Sequence, residues 1–234
     1  MSALSRLSQR SMSLTYHEPS LQCYSSLDEL IADVSPPVHI FKDASGSYVA
    51  EINLQGRPAI LKIPHGRNRD VWERIATLVR PPNVEQQMQW RKRLLELNLN
   101  APKTLITGVE RRFGMVLHSF IIYEKVAGKL AQSESELAQI SAALSCIHDA
   151  GYIRGDAHRH NYLIDSNGKV SIIDYRLRKP WVFPQGQMGI EKDKLIKYAP
   201  EVARFIDLSY QNTVSYQVMI AHKAVRRLSK RLFS

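Results

Sequence analysis

Cysteine is nearly absent from this sequence: Cys23 and Cys146 are the two in 234 residues. That excludes a disulfide framework and a cysteine-based zinc site, and both are expected to be plain thiols. Long apolar runs are missing too. The longest stretch, MVLHSFIIY from Met115, is interrupted and strand-like, well short of the roughly eighteen residues of a membrane span. The N-terminal stretch has basic residues but no continuous apolar core, so no secretory signal is expected and the site should face a cytoplasm. Acidic residues are in deficit, 22 Asp and Glu against 32 Lys and Arg, for a net charge of +10. A basic surface favours polyanions such as anionic lipid headgroups or phosphorylated glycolipid. No groove-reading motif accompanies the charge, so no specific nucleic acid is expected as a partner.

What is present suffices for a core. Hydrophobic residues make up 44% of the chain, which at this length fits one ordinary domain or two small lobes. The most informative stretch is Gly151–Arg178, GYIRGDAHRHNYLIDSNGKVSIIDYRLR. Asp156, His158 and Asn161 cluster at its start, and Asp174 follows behind the apolar Val170, Ile172 and Ile173. Asp165-Ser166-Asn167-Gly168 is a turn signal, and YLI before it has the composition of a short strand. The expectation is loop, strand, turn, strand, with polar oxygens before the first strand and after the second. Phosphoryl transfer needs such a set: a carboxylate near the acceptor hydroxyl and oxygen ligands for a metal. Asp156 suits the first task. Asn161 and Asp174 suit the second, as ligands for Mg2+ against the phosphates of ATP. Each of these residues alone also suits an ordinary polar turn; their order on one strand-turn-strand frame points to kinase-like chemistry.

GDAHRHN resembles the G-D-x-H-x-x-N catalytic loop of small-molecule and lipopolysaccharide kinases, and IIDYR stands where protein kinases have D-F-G. The sequence resembles the lipopolysaccharide core heptose(II) kinase family. The likeness runs from about Ile40 to about Ser209 and includes LKIP at Lys62, VERRFG, YEKVAGK and IHDAGYIRGDAHRHNYLI. It implies an α+β, two-lobed protein-kinase-like fold, with a small antiparallel-sheet N-lobe and a mostly helical C-lobe. It also implies ATP and Mg2+ as cofactors and a lipopolysaccharide core acceptor. The catalytic loop is more specific for the fold than for the substrate.

Along the chain, residues 1–25 are rich in Ser, Arg and Gln and are expected to form a flexible leader, with an export signal as a functional alternative. Residues 26–127 would form the N-lobe and 128–234 the C-lobe. Strands are expected around Val38–Lys42, Tyr48–Leu54 and Ala59–Ile63. The turn at Ser45–Ser47 would lie over the phosphates, but with Gly46 as its single glycine it departs from a G-x-G-x-x-G loop. Lys62 would place its ammonium against the α- and β-phosphates. The fold asks for a glutamate to pair with it: Glu85, in the first turn of a helix begun by Asn83, is the candidate, and Glu73 competes. A first-turn Glu also suits the helix dipole alone. Glu124–Gly128 stands where the resemblance implies an adenine-binding hinge.

Ser133 and Glu136 form an S-x-x-E capping box, opening a helix whose Leu137, Ile140, Leu144 and Ile147 share one stripe and which stops at Gly151. His148 in its last turn suits a cap or cation at a helix C-terminus. His158 is expected to fix the loop through hydrogen bonds, and Arg154 and Arg159 are candidate acceptor-side cations. Past Asp174, basic residues and Pro180-Trp181-Val182-Phe183-Pro184 suit either a glycolipid headgroup or a packed loop. Ala199-Pro200-Glu201 leaves a protein kinase, including a secreted effector, as an alternative; an inactive kinase-shaped module is another. At the C-terminus, Val214, Val218, Ala221, Val225, Leu228 and Leu232 share one helical face opposite Lys223, Arg226, Arg227, Lys230 and Arg231. Such a helix suits peripheral docking on an anionic inner-membrane surface, or a core face.

Overall fold

A computed structural model describes residues 3–66 and 70–232. The chain divides into two compact units. One takes the residues up to Gln89 with Pro102–Val126; the other takes Trp90–Ala101 and the residues from Ala127 on.

The first unit is built on a six-stranded antiparallel sheet in the order β1-β5-β6-β4-β3-β2. Its strands are β1 (Ser13–Tyr16), β2 (His39–Ala44), β3 (Ser47–Leu54), β4 (Arg57–Ile63), β5 (Thr104–Arg112) and β6 (Met115–Glu124). Alternation decides which face is covered. Tyr48, Ala50, Ile52 and Leu54 of β3 and Ala59, Leu61 and Ile63 of β4 are all buried in one core with Ile106, Phe120 and Ile122. Gly108 lets the Phe120 ring lie flat on β5, because a Cβ there would stand 2.0 Å from that ring.

The helices α1 (Ala3–Ser8) and α2 (Leu27–Asp33) cover this face, contributing Leu4, Leu7, Leu27 and Leu30. The flexible leader expected over residues 1–25 is therefore corrected. Within it β1 pairs with β5 in the register Ser13↔Val109 to Tyr16↔Ile106, and Leu21 is buried. Serine dominates its composition, but its leucines Leu4, Leu7 and Leu21 join the sheet's core. Two short helices complete the unit's outer parts: α3 (Val71–Ala76), capped by Asp70, and the start of α4 (Asn83–Glu96). Asn83 is the first helical residue rather than a side-chain cap; the Pro82 carbonyl accepts from the amides of Glu85 and Gln86.

The second unit is mostly helical. α5 (Glu134–Asp149) opens with the complete Ser133–Glu136 capping box and buries Leu137, Ile140, Ala143, Leu144 and Ile147. Backbone hydrogen bonds from Gln132 and Ser133 hold the Glu136 carboxyl down to about 2. A three-stranded sheet joins β7 (Lys129–Leu130), β8 (Tyr162–Ile164) and β9 (Val170–Ile172). The Asp165–Gly168 turn closes β8 on β9, with Asp165 Oδ1 accepting from the amides of Asn167 and Lys169 at 2.9 and 2.8 Å.

Two helices finish the unit, α6 (Pro184–Tyr198) and α7 (Val214–Leu232). They approach closely because Gly186 and Gly189 of α6 have no side chains: a Cβ at Gly186 would meet the Ser215 carbonyl at 2.3 Å, and one at Gly189 the Tyr210 and Tyr216 rings. Among the residues of α7 whose side chains are described, Tyr216 in the first turn is the buried one. Val214, Val218 and Val225 of the apolar stripe are exposed, so this part of the stripe is not a core face. Leu228 and Leu232, with the basic residues from Arg226 on, lie outside the residues whose side chains are described.

Candidate active site

The catalytic-loop sequence forms a short irregular path between α5 and β8. Gly151, at φ +78°, ends α5, and Ile153 then pairs with Arg178 in both directions at 2.9 and 3.0 Å. After Asp156 the chain makes a 3-10 turn, Arg159–Asn161, and enters β8. Tyr162 faces Ile172 across the hairpin. This register sets Asn161 next to Ile173, whose amide donates to the Asn161 carbonyl at 3.0 Å.

Asn161 also donates its Nδ2 to the Asp156 carbonyl at 3.0 Å. A carbonyl only accepts, so this contact fixes which end of the amide is nitrogen and leaves Oδ1 as the remaining donor atom for a cation. One residue thus ties the Asp156 loop to the strand leading to Asp174. Asp174 is exposed and sits in the left-handed region at φ +49°, a conformation sparsely used by non-glycine residues and tolerated best by Asp and Asn. Asp156, Asn161 and Asp174 therefore gather at one end of one hairpin. Neutral amide oxygen plus carboxylate is a donor set that fits a hard divalent cation. No group of three or more His, Cys, Asp or Glu placed to hold a metal ion occurs among the described residues.

The loop has two dissimilar sides. On the buried side stands Glu191 of α6. Its carboxylate accepts from the Arg154 amide at 3.0 Å, from the Gly155 amide, and from His148 Nε2 at 2.9 Å. Because a carboxylate accepts, Nε2 of His148 carries the proton. His148 is thus a tether between α5 and α6 rather than a cap on its own helix end. Arg154 is buried as well: its Nη2 donates to the Ile173 carbonyl at 3.2 Å, and its guanidinium carbon lies 4.6 Å over the Tyr162 ring. Burial pushes the Tyr162 hydroxyl up. An acceptor cation must reach solvent, so Arg154 is corrected to a positioning residue. Arg159 donates to the Ala131 carbonyl.

On the exposed side Asp156 pairs with Lys194 of α6. His158 accepts from the His160 amide through Nδ1 at 3.2 Å and stacks on Tyr198, with centroids 3.7 Å apart. Its expected loop-fixing role is met by a backbone hydrogen bond and a ring contact. Burial, then the neighbouring His160, holds its pKa below 6.5.

Glu191, Lys194 and Tyr198 were not singled out in the sequence. The available signal was a charged residue, Glu191, four positions before the buried Leu195 on a helix whose two glycines mark close packing. Ala199-Pro200-Glu201 ends α6 and starts a 3-10 turn, with Ala199 buried.

The remaining predicted residues belong to the first unit. Lys62 lies on the β4 face opposite Ala59, Leu61 and Ile63, between Val49 and Ile121. Glu85 does not supply its partner: its carboxylate meets Arg111 at 3.4 Å, and Glu73 meets Arg80 at 2.7 Å. The first turn of α4 and the end of the β5–β6 hairpin bring Arg111 of VERRFG to that glutamate. Gly46 sits in the β2–β3 turn, where its carbonyl accepts from Gly66 at 2.8 Å, and a Cβ there would meet nothing within 4 Å. Glu124 ends β6 with its amide on the Lys103 carbonyl at 2.9 Å, and the Lys125 amide turns to Pro58. Both amides are thus used by neighbouring backbone carbonyls.

No family model and no curated protein matches the chain. Solved structures do resemble it. One described as "WaaP in complex with acyl carrier protein" superposes with a TM-score of 0.58 at 16% identity, covering 94% of this chain and 97% of that one. Vaccinia related kinase 3 gives a TM-score of 0.36, also at 16% identity, over 59% of this chain and 46% of that one, too slight to bear on the fold. The chain has the kinase-like fold, α+β with an antiparallel-sheet unit and a mostly helical unit, expected from its resemblance to the lipopolysaccharide kinases.

Proposed function

We propose that the chain is an ATP-dependent phosphotransferase acting on a heptose hydroxyl of the lipopolysaccharide inner core. The observation that carries this reading is the gathering of Asp156, Asn161 and Asp174 at one end of the β8–β9 hairpin. Asp156 would orient the acceptor hydroxyl and take its proton as that oxygen bonds the γ-phosphorus of ATP and the bond to the β-γ bridging oxygen breaks, releasing ADP. Asn161 and Asp174 would hold Mg2+, and Lys62 would meet the nucleotide phosphates. Mg2+ and ATP supply the electrophilic phosphoryl group and the neutralisation of its charge. Gly46 is kept as a backbone neighbour of the phosphates and Glu124 as the start of the adenine-binding segment. Glu85, engaged by Arg111, is left out. The choice of acceptor rests on the catalytic-loop resemblance.

The place of action is proposed as the cytoplasmic face of the inner membrane. Trp181 is 94% exposed and Val182 62%, beside Arg178 and Lys179, and the apolar stripe of α7 is exposed where described. Basic and aromatic residues in this mixture suit an anionic interface. No described helix is long and apolar enough to cross a membrane.

The test is transfer of labelled γ-phosphate from ATP, with truncated core lipopolysaccharide and a mixed protein extract as parallel acceptors. Label in the glycolipid, lost in Asp156→Ala, is the expected result. Label in protein alone would move the acceptor to protein. The Lys194–Asp156 ion pair and the glycine-poor turn at Gly46 favour one rival, an inactive kinase-shaped module. It requires that the folded protein bind no Mg-ATP.

A further inference from the structure

Helix α3 and the turn after it are inverted. A surface helix normally turns its apolar stripe to the core. Here Glu73, Arg74 and Thr77 face Val116 and Ser119 of β6 across a small cavity. Glu73 pairs with Arg80, and the Thr77 hydroxyl accepts from the Val116 amide at 2.9 Å. Helical turns run on to Arg80, whose amide donates to the Ala76 carbonyl at 3.1 Å. The outward side is left to Val71, Trp72, Ile75, Leu78 and Val79, with Trp72 79% exposed and Val79 91%. Phe113 at the tip of the β5–β6 hairpin adjoins them: a Cβ on Gly114 would stand 3.1 Å from the Leu78 side chain. Phe113 and Gly114 close the hairpin between Arg112 and Met115 at φ +51° and +79°, a turn that suits Asn-Gly. A bulky side chain in that region is strained unless packing holds it. Phe113 is instead 81% exposed, with the Arg112 guanidinium carbon 5.2 Å from its ring centre.

We infer that this face of the first unit docks on an anionic lipid surface, through residues other than Trp181 and the α7 stripe of the second unit. Single exposed apolar residues are ordinary, but a set of six on one face marks an interaction site. Trp, Phe and aliphatic side chains beside arginine are the mixture of a membrane interface. The nearby carboxylates are already engaged. Asp70 accepts from the Trp72 and Glu73 amides, Glu73 meets Arg80, and Glu85 meets Arg111. Arg112 stands exposed at the hairpin tip, and the sequence before α3 adds Arg67 and Arg69. Such cations are attracted to anionic headgroups, whereas a second copy seated on the same face would set like charges against each other. The docking face requires nothing of the catalytic loop. With the proposed glycolipid acceptor, it would hold the enzyme at the layer where that acceptor lies.

The experiment is co-sedimentation of the full chain with vesicles of phosphatidylcholine containing phosphatidylglycerol, and of phosphatidylcholine alone. Wild type is expected to partition onto the anionic vesicles. The Trp72→Ser/Val79→Ser double variant should bind about tenfold or more weakly, since two inserted apolar groups are lost. Arg112→Gln should lose about fivefold on the anionic vesicles alone. Phe113→Asn separates docking from folding: Asn suits the left-handed turn, so the melting temperature should hold or rise while vesicle binding weakens. No binding by wild type, or full binding by both the double variant and Phe113→Asn, overturns the docking face. Binding lost in Trp181→Ser but kept in the double variant assigns the contact to the second unit and overturns it as well. A dimer formed without vesicles and lost in the double variant gives the face to a second copy, against the proposal. Phosphate transfer to delipidated core oligosaccharide should be the same in wild type and the double variant. Vesicle binding without any transfer would leave the docking face standing and overturn the phosphotransferase reading, and transfer without vesicle binding would do the reverse.

Discussion

Glu191 and Lys194 stand three residues apart on one helix, and both reach the catalytic loop. Glu191 is 4% exposed and its oxygens meet three donors. Lys194 is partly exposed and pairs with a single carboxylate that is itself mostly in solvent. The first arrangement is scaffold. Removing one partner there strands backbone amides and an imidazole away from water, a cost that falls on folding. The second is surface electrostatics, where an ion pair contributes little to stability and can be exchanged for a ligand. One helix therefore fixes where the loop is and offers a charge that can change partners.

Substitutions on the two sides should separate activity from stability. Asp156→Ala removes an exposed side chain, so transfer should fall by about 10²–10⁴-fold with an unchanged melting temperature. A large drop in melting temperature would break the division between the sides. Glu191→Ala should destabilise the protein by roughly 3–5 kcal/mol, read as the denaturant midpoint at constant slope. Glu191→Gln, which keeps one acceptor oxygen, should lose less. If both variants unfold at the wild-type midpoint, Glu191 is not scaffold.

The N-terminal segment provides a second contrast with the exposed α7. Leu21→Ala should cost about 2–5 kcal/mol, because Leu21 is buried in the sheet core, whereas Val225→Ala, 65% exposed, should stay within about 0.5 kcal/mol. Equal effects would mean that the stripe on α7 is covered in solution.

The smallest effect expected is a pH dependence. His158 has a folded pKa below its ordinary 6.5, so the folded state resists protonation more than the unfolded chain does. The associated stability is present above pH 6.5 and lost as the pH falls from there through the folded pKa. His158→Gln should flatten that part of the stability profile, measured as the denaturant midpoint at a series of pH values.

Much of the site's frame was legible because its signals are local. The Asp165–Gly168 turn, the two short strands, the Ser133–Glu136 box and the stop at Gly151 each depend on residues a few positions apart. The antiparallel strands of the first unit followed from period-two alternation over Tyr48–Leu54. The failures are all non-local. Residues 1–25 look like a polar leader until β5 offers β1 an edge to pair with. Glu85 looked like the partner of Lys62 until the β5–β6 hairpin brought Arg111 to it. Arg154 looked exposed because the charge of an arginine says nothing about the Tyr162 ring beneath it.

The sequence by itself determined which atoms are available for chemistry: the order Asp156, Asn161, Asp174 and the turn that returns the chain between them. Turn and strand preferences act over a few residues and are written in consecutive side chains. Tertiary structure alone decided which charges are buried and which remain open. Burial depends on what packs from elsewhere in the chain, and no local pattern encodes it. The close seating of α7 on Gly186 and Gly189 exists only once α6 and α7 have met.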